Sequence, residues 1–144
     1  MTSKKDFEVC VRGILTSRGK ILVARNKAKG YYFFPGGHVE FGEKLKETLS
    51  RELKEELGIR PKDSKFIGVV DNVFKDEGLH HEVDFVFEVK TGGIRAESKE
   101  NHIDFKFFTP SEFSKASVYP LALKKAIVKW MKDGKVFQVS QYYK

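Results

Sequence analysis

Three glutamates in one short segment have the spacing of a metal-binding cluster. Glu52, Glu55 and Glu56 lie three and four positions apart, so a helix places them on one face. Their charges repel one another, and each acid near a helix C-terminus loses roughly 0.3 to 1 kcal/mol against the helix dipole. Carboxylate oxygens are the ligands of hard divalent cations, here Mg²⁺ or Mn²⁺, which would offset this cost. A salt-bridged surface helix is the alternative that the spacing leaves open.

The helix that would carry this cluster is indicated by the leucine spacing. Four leucines recur at intervals of four residues and form one apolar stripe: Leu45, Leu49, Leu53 and Leu57. Gly58 follows at the position of a left-handed C-terminal cap, which predicts a helix over residues 44–57. Glu56 falls beside the stripe, so the carboxylate face borders the core and does not oppose it.

A glycine-rich loop precedes this helix. The segment Pro35-Gly36-Gly37 frees the backbone for unusual dihedral angles and for close approach to a ligand. Gly37 is followed after five residues by Glu43, and after seven more by the run Arg51-Glu52-Leu53-Lys54-Glu55-Glu56-Leu57-Gly58-Ile59. This pattern over residues 37–59 resembles the signature of the Nudix hydrolases, and every specified position of that signature is matched.

The resemblance implies a role for each matched residue. The implied metal ligands are Glu52, Glu55, Glu56 and the backbone carbonyl of Gly37. Either Glu52 or Glu56 would also be the general base. Arg51 would orient a catalytic carboxylate and connect the helix to the loop through Glu43; the alternatives are a surface pair between Arg51 and Glu47, and a favourable helix N-terminal charge for Glu43.

The resemblance also implies a reaction and a fold. The reaction is Mg²⁺-dependent hydrolysis of the pyrophosphate linkage of a nucleoside diphosphate derivative, in which water attacks phosphorus. Nucleoside triphosphates, deoxynucleoside triphosphates, ADP-ribose, dinucleoside polyphosphates and RNA 5′ ends all remain candidate substrates. The implied fold is an α/β (α+β) arrangement, an α/β/α sandwich around a mixed central sheet. A nucleotide-sensing or RNA-binding module with little catalysis is the competing interpretation, but such a module would be free to lose its costly carboxylates.

Acids outside the signature are further candidates. Some members of the family recruit an acid from a distant loop, and Glu97 and Glu100 lie in the corresponding stretch. We favour Glu100 as the additional metal ligand. Glu82 is another candidate, although strand alternation places it opposite Val83 and equally predicts a solvated position.

Basic and aromatic residues near the glycine-rich loop are candidates for substrate contacts. Basic side chains that could contact phosphates are Arg25, Lys27 and Lys29, with solvent contact as the alternative. Aromatic side chains that could stack on a base are Tyr31, Tyr32 and Phe33, with ordinary packing as the alternative.

The remaining chain supplies strands and two more helices. Strands are predicted over residues 7–16, 20–25, 65–74, 81–90, 103–108 and 136–139. A short helix is predicted over 111–115, and a longer one opens at Pro120 and ends near Asp133. Residues 91–101 form a predicted loop. No repeat or linker interrupts the pattern, which predicts one domain over residues 1–144.

The composition limits the cellular location and the kinds of molecule that the protein is expected to bind. Cys10 is the only cysteine among 144 residues, which excludes an intramolecular disulfide and favours a reducing, cytoplasmic location. No apolar run reaches the length of a membrane span. Residues 37–58 hold six acids and four bases, so the net charge of +7 leaves +9 on the rest of the chain. We therefore expect a nucleotide as substrate, nucleic acid as a secondary partner, and no membrane; the oligomeric state stays open, a homodimer being one option.

Overall fold

The computed structural model describes residues 6–91 and 97–143. The strands that it describes are Phe7–Ser17 (β1), Lys20–Asn26 (β2), Tyr32–Phe33 (β3), Gly36–His38 (β4), Asp63–Lys75 (β5), Leu79–Lys90 (β6), Ile103–Phe108 (β7), Val118–Tyr119 (β8) and Phe137–Tyr142 (β9). The described helices are Leu45–Leu57 (α1), Pro110–Lys115 (α2) and Leu121–Asp133 (α3). Each predicted strand and helix is present, and residues 92–96 of the predicted loop lie outside the described residues.

The strands form one curled, mixed sheet. Its central part has the order β4-β1-β6-β5-β9, in which β1 runs parallel to β6 and β9 runs parallel to β5. The far end of β1 turns away and pairs with β2, which in turn pairs with β3 and β7. β8 extends this second part beside β3. β1 is therefore the strand that joins the two parts.

Helix α1 covers one face of the central sheet. The side chains of Leu49, Leu53 and Leu57 are buried there against the alternate residues Val11 and Val89 of β1 and β6. Each fully buried leucine contributes about 1.5 to 3 kcal/mol of transfer free energy. The leucine stripe thus fixes the rotation of α1 about its axis, and this rotation places the glutamates at the edge of the helix–sheet interface.

Helix α3 covers the opposite face. Leu123 and Ile127 pack against Ile14, Val70 and Val86, which alternate with the residues facing α1. The sheet is consequently buried on both faces, and the predicted sandwich with a mixed central sheet is confirmed. None of the described helices has the length and hydropathy that a membrane crossing requires.

Candidate active site

Helix α1 begins and ends as its sequence predicts. Lys44 is the N-terminal cap, and its backbone N–H donates to the Glu47 carboxylate at 3.2 Å. At the other end Gly58 adopts a left-handed conformation with φ of 69°, which glycine reaches without steric cost. The last turn, which carries Glu55 and Glu56, is therefore held in a defined geometry.

Glu56 is the most buried carboxylate on this helix, with 6% of its surface exposed. The backbone N–H of Gly36 in β4 donates to its Oε2 at 3.3 Å. Burial, followed by repulsion from Glu52, raises the pKa of Glu56 to about 8. An anionic Glu56 therefore requires a nearby positive charge.

The Glu52 side chain of α1 lies against Gly37, which follows Gly36 in β4. A methyl group at position 37 would be 2.5 and 2.7 Å from the two carboxylate oxygens of Glu52, closer than van der Waals contact permits. Burial raises the pKa of Glu52, and the neighbouring charge of Arg51 opposes this shift. Because residue 37 is glycine, the helix carboxylates and the loop backbone can approach each other closely.

Arg51 connects the loop to the helix. Its Nε and Nη2 donate to the two carboxylate oxygens of Glu43 at 2.8 and 3.0 Å, a bidentate pair. Its Nη1 donates to Glu52 Oε1 at 3.0 Å, and its Nη2 also donates to the carbonyl oxygen of His38 at 3.0 Å. The hydrogen bonds from Arg51 and then from Thr48 lower the pKa of Glu43 to about 2. Glu43 therefore stays ionised and keeps Arg51 directed at Glu52.

The two remaining candidate ligands lie at the margin of the cluster. Glu55 is half exposed, and its Oε2 is 3.5 Å from Arg51 Nη1. The segment that carries Glu100 is attached to the helix end, because Lys99 N–H donates to the Glu56 carbonyl at 2.8 Å. The Glu100 charge contributes to the raised pKa of Glu56, while its Oε2 is 3.3 Å from His102 Nε2. Glu97 is exposed beside the same segment.

The donors assembled here fit a hard divalent cation. Glu56 presents a buried carboxylate and Glu52 a partly buried one that is paired with Arg51, and the glycine at 37 lets the helix and the loop backbone approach closely. Oxygen donors of this kind suit Mg²⁺ and Mn²⁺ better than softer metals. Glu55 and Glu100 lie at the margin of this cluster and contact Arg51 and His102 respectively.

A cavity of about 830 Å³ lies on the α3 face of the sheet. Its described lining does not include the glutamates of α1. Arg12 connects the cavity to the glycine-rich loop, because its backbone pairs with Gly36 while its side chain lines the cavity. The described lining residues are Arg12, Asn26, Lys29, Gly30, Tyr31, Phe33, Asn72, Phe74, Lys75, Asp76, Glu82, Asp84, Ser117, Tyr119, Pro120 and Gln141.

The cavity floor carries a buried cluster of charged residues. Arg12 Nη2 donates to Glu82 Oε1 at 3.2 Å, and Arg12 Nε lies 3.9 Å from Asp84 Oδ1. Burial alone would raise the pKa of Glu82, but the neighbouring Asp84 carboxyl and the Arg12 guanidinium lower it. Burial raises the pKa of Asp84, with only partial opposition from Arg12. The pair thus consists of an ionised Glu82 and a carboxyl group at Asp84 that tends to stay neutral.

The solvated position predicted for Glu82 is wrong, since only 8% of its surface is exposed. Alternation along β6 separates two buried faces and does not separate core from solvent, because helices cover both sides of the sheet. Arg12 and Asp84 were missed altogether. The available signal was a charged residue at alternate positions of otherwise apolar strands, with Glu82 and Asp84 two residues apart.

The predicted substrate-binding residues divide into two groups. Phe33, together with Lys29 and Tyr31, lines the cavity. Arg25 and Lys27 instead pair with Asp104 across β2 and β7, at 2.9 and 3.6 Å.

Tyr32 is also directed away from the cavity. Its ring packs against the core with its centroid 4.9 Å from that of Phe108. Arg25, Lys27 and Tyr32 thus have other partners and are not among the described residues that line the cavity, and their contact with substrate stays a prediction.

A family model and individual proteins of known sequence match most of this chain. A family model described as the NUDIX domain matches residues 5–131. A MutT-like protein of Streptomyces ambofaciens is 32% identical over 130 residues, which cover 88% of this chain and 80% of that protein. The ADP-ribose pyrophosphatase of Methanocaldococcus jannaschii is 35% identical over 101 residues, or 67% of this chain and 60% of that protein. The match therefore spans less than two thirds of the archaeal protein.

Comparisons with solved structures concern the fold alone, because the sequence identities are low. The MutT protein of Bacillus halodurans superposes with a TM-score of 0.77 at 23% identity, covering 94% of this chain and 90% of that one. The MutT protein of Methanosarcina mazei Go1 gives a TM-score of 0.73, also at 23% identity, with coverage of 93% and 99%. Both share the mixed sheet and flanking helices described above.

Proposed function

The chain belongs to the Nudix hydrolase family, and on this premise we propose that it hydrolyses the pyrophosphate linkage of a nucleoside diphosphate derivative with the aid of Mg²⁺. One observation carries the proposal. The buried carboxylate of Glu56 and the partly buried carboxylate of Glu52 converge on the backbone of Gly36 and Gly37, and Arg51 holds Glu52 in place. A structural helix gains nothing from such an arrangement, whereas a metal-dependent hydrolase requires it.

Bound Mg²⁺ would neutralise the diphosphate oxygens and make water a better nucleophile. Glu52, Glu55 and Glu56, together with the Gly37 carbonyl, are the groups that we propose to hold it, and Glu100 supplements them. Glu52 or Glu56 also accepts the proton of the attacking water. Without metal, burial raises the pKa of Glu56 to about 8, so the positive charge of bound Mg²⁺ would favour its ionised form.

Arg51 and Glu43 are positioning residues in this proposal. Glu43 accepts hydrogen bonds from Nε and Nη2 of Arg51, which keeps Nη1 directed at Glu52. The Glu52 carboxylate is thereby restrained in one orientation before the metal arrives. This restraint reduces the entropy lost when the site is filled.

The substrate class follows from charge and from the family. The chain carries a net charge of +7, while the described lining of the cavity pairs three bases, Arg12, Lys29 and Lys75, with three acids, Asp76, Glu82 and Asp84. The positive charge of the whole chain thus attracts a phosphorylated nucleotide, while its diphosphate needs the metal at the acidic cluster. Free nucleotides, nucleotide sugars such as ADP-ribose, and triphosphorylated RNA ends share this chemistry. We also propose a cytoplasmic location, in keeping with the free thiol of Cys10.

The test is turnover of a substrate panel. Purified protein is incubated with nucleoside and deoxynucleoside triphosphates, ADP-ribose, dinucleoside polyphosphates and triphosphorylated RNA, and the products are resolved by chromatography. We expect at least one substrate to be cleaved between phosphates with Mg²⁺ present and none to be cleaved in excess chelator. Equal turnover in chelator would refute the metal-dependent mechanism. RNA binding with a steep salt dependence and no product would instead identify a non-catalytic binding module.

A further inference from the structure

The guanidinium group of Arg12 is held inside the protein by contacts on two sides. Its side chain is 17% exposed. On one side its Nη2 donates to Glu82 Oε1 at 3.2 Å, and on the other its Nη1 donates to the backbone carbonyl oxygen of Phe34, also at 3.2 Å. A buried ion pair often gives no more stability than apolar side chains of similar size would give. The pair with Glu82 therefore does not by itself account for an arginine at this position.

The Phe34 carbonyl belongs to the segment that leads into the glycine-rich loop. Phe34 follows β3 and is separated from β4 by Pro35, which has no backbone N–H to donate. Strand β1 holds this segment through two hydrogen bonds. Gly13 N–H donates to the Pro35 carbonyl at 2.8 Å, and Arg12 Nη1 donates to that of Phe34. Two consecutive carbonyls are thus bound by adjacent residues of one strand.

The next two residues form the backbone on which the carboxylates of α1 converge. Gly36 donates its N–H to Glu56 Oε2 at 3.3 Å, and Gly37 lies against the Glu52 carboxylate. Gly36 has a φ of 147°, which residues with a side chain rarely adopt. Because two successive glycines have few conformational restrictions of their own, contacts from outside must keep this backbone in one conformation. The pairing of β4 with β1 provides some of these contacts, and the guanidinium of Arg12 adds another just before the loop.

We propose that Arg12 is a positioning residue for the proposed metal site, which acts by holding the Phe34 carbonyl and with it the backbone of the glycine-rich loop. The inference rests on the proposed function, because it gives Arg12 a part in the same site. In this role Arg12 acts through the loop and contributes no ligand to the metal. Residues that orient metal ligands typically account for about 10- to 100-fold in metal affinity. The effect of Arg12 should lie at the lower end of this range, because it is transmitted through the backbone.

An arginine suits this role better than a lysine. The guanidinium is planar and its donors point in fixed directions, so one side chain donates to Glu82 and to Phe34 at the same time. A lysine ammonium is a compact charge on a flexible stem. The geometry therefore predicts that a planar cation, and not positive charge alone, is needed at this position.

Metal binding by a truncated variant tests the inference without catalysis. Arg12→Ala removes the guanidinium and leaves a space that opens into the cavity, which Arg12 lines. Mn²⁺ replaces Mg²⁺ as the probe, and electron paramagnetic resonance of the free ion gives its dissociation constant. We expect Mn²⁺ to bind Arg12→Ala about tenfold more weakly than the native protein. A native affinity in a folded Arg12→Ala protein would overturn the inference.

Added cations then distinguish positioning from charge. Guanidinium chloride, at a concentration far below that which unfolds the protein, should restore most of the Mn²⁺ affinity of Arg12→Ala, because the ion can donate to the same two acceptors. Methylammonium chloride at the same concentration supplies the same charge and ionic strength without the planar set of donors, and should restore little. Equal recovery with the two cations, or recovery with neither, would contradict a positioning role.

A destabilised control shows whether reduced stability alone weakens metal binding. Ile127→Ala removes a fully buried side chain from the cluster between α3 and the sheet and destabilises the core from that side. Its Mn²⁺ affinity should equal that of the native protein. If Ile127→Ala loses affinity as Arg12→Ala does, lower stability is the cause and the inference fails.

A neutral pair covers the case in which Arg12→Ala does not fold. Removing Arg12 alone leaves Glu82 buried without its partner, which can prevent folding. The double variant Arg12→Ala/Glu82→Gln removes this charge as well, and its comparison with Glu82→Gln alone isolates the effect of Arg12. We expect Mn²⁺ to bind the double variant about tenfold more weakly than Glu82→Gln. Equal affinities would show that Arg12 only neutralises Glu82, and the positioning role would be lost.

Turnover distinguishes this inference from the proposed function. If Arg12→Ala binds Mn²⁺ weakly and guanidinium restores the binding, but the native protein hydrolyses no nucleotide, the positioning role stands and the proposed function fails. If the native protein hydrolyses a nucleotide with Mg²⁺ and Arg12→Ala keeps its Mn²⁺ affinity, the proposed function stands and the positioning role fails.

Discussion

The Glu56 carboxyl is held near its neutral form by burial and by the adjacent Glu52, and both effects disfavour its charge in the folded protein without metal. Its pKa of about 8 lies above the ordinary value of 4.5. A group whose folded pKa is raised destabilises the folded state increasingly as pH rises from the unfolded pKa toward the folded one. Glu56 thus lowers stability at the pH where its charge is useful, a compromise common at catalytic sites.

We predict that Glu56→Gln stabilises the metal-free protein in a pH-dependent manner. Glutamine keeps the size of the side chain and an acceptor for Gly36 N–H but never ionises. Its melting temperature should equal that of the native protein near pH 5 and exceed it increasingly toward pH about 8. Thermal unfolding in chelator at several pH values checks this. A difference in melting temperature that is constant with pH would show that Glu56 is not responsible.

The sequence predicted the grouping of some residues of the site but not of others. The spacing of Glu52, Glu55 and Glu56 predicted a shared helical face because helical periodicity is local. Arg12, Asp84 and Asn72 come from three different strands, and only the pairing of β1, β6 and β5 brings them together. Strand register is a long-range property, so a single sequence gave no means of assembling this cluster.

At the scale of elements, the close packing of α1 on β4 is what makes the site. Residue 37 has room for a hydrogen but not for a methyl group beside the Glu52 carboxylate. Leu53, in the adjacent apolar stripe of the same helix, is fully buried against the sheet. Leu53 therefore contributes to holding α1 on the sheet, whereas Gly37 determines how closely the Glu52 carboxylate approaches the loop backbone.

We predict that Gly37→Ala impairs metal binding more than folding. The added methyl group displaces the Glu52 carboxylate, which Arg51 otherwise holds at 3.0 Å. Calorimetric titration with Mg²⁺ should show a weaker affinity, while the free energy of unfolding in urea changes little. Leu53→Ala is the contrasting variant and should lose about 2 to 5 kcal/mol of stability. A native Mg²⁺ affinity in Gly37→Ala would contradict the close approach described here.

The elements themselves were largely predictable, and the exceptions have a physical cause. The leucine spacing and Gly58 predicted α1 to within one residue, because capping and periodicity are local signals. The short strands β3, β4 and β8 were not predicted, since two or three residues carry no periodicity and exist only through pairing. The last strand extends to Tyr142 because it adds in parallel to β5.

At the scale of the whole molecule, charge is divided between an acidic site and a basic body. Residues 37–58 carry a net charge of −2, and the rest of the chain carries +9. The arrangement attracts polyphosphates over distances that salt can screen, about 10 Å at 0.1 M ionic strength.

We predict that KM for an anionic nucleotide rises with ionic strength while kcat changes little. Long-range attraction acts on encounter and binding, whereas the chemical step depends on contacts too short to be screened. Steady-state kinetics in increasing KCl at constant free Mg²⁺ measure both constants. A kcat that falls while KM stays constant would show that salt acts on the site itself and not on attraction.

Glu56 is the residue on which the proposed mechanism depends most, and the turnover of Glu56→Gln with Mg²⁺ tests that mechanism most directly. Glu47→Gln is the matched control, because it makes the same change on an exposed position of the same helix and retains an acceptor for Lys44 N–H. We predict that kcat falls by about a hundredfold or more in Glu56→Gln and stays near the native value in Glu47→Gln. A folded Glu56→Gln variant with native kcat would contradict the claim that this carboxylate cluster is the catalytic centre.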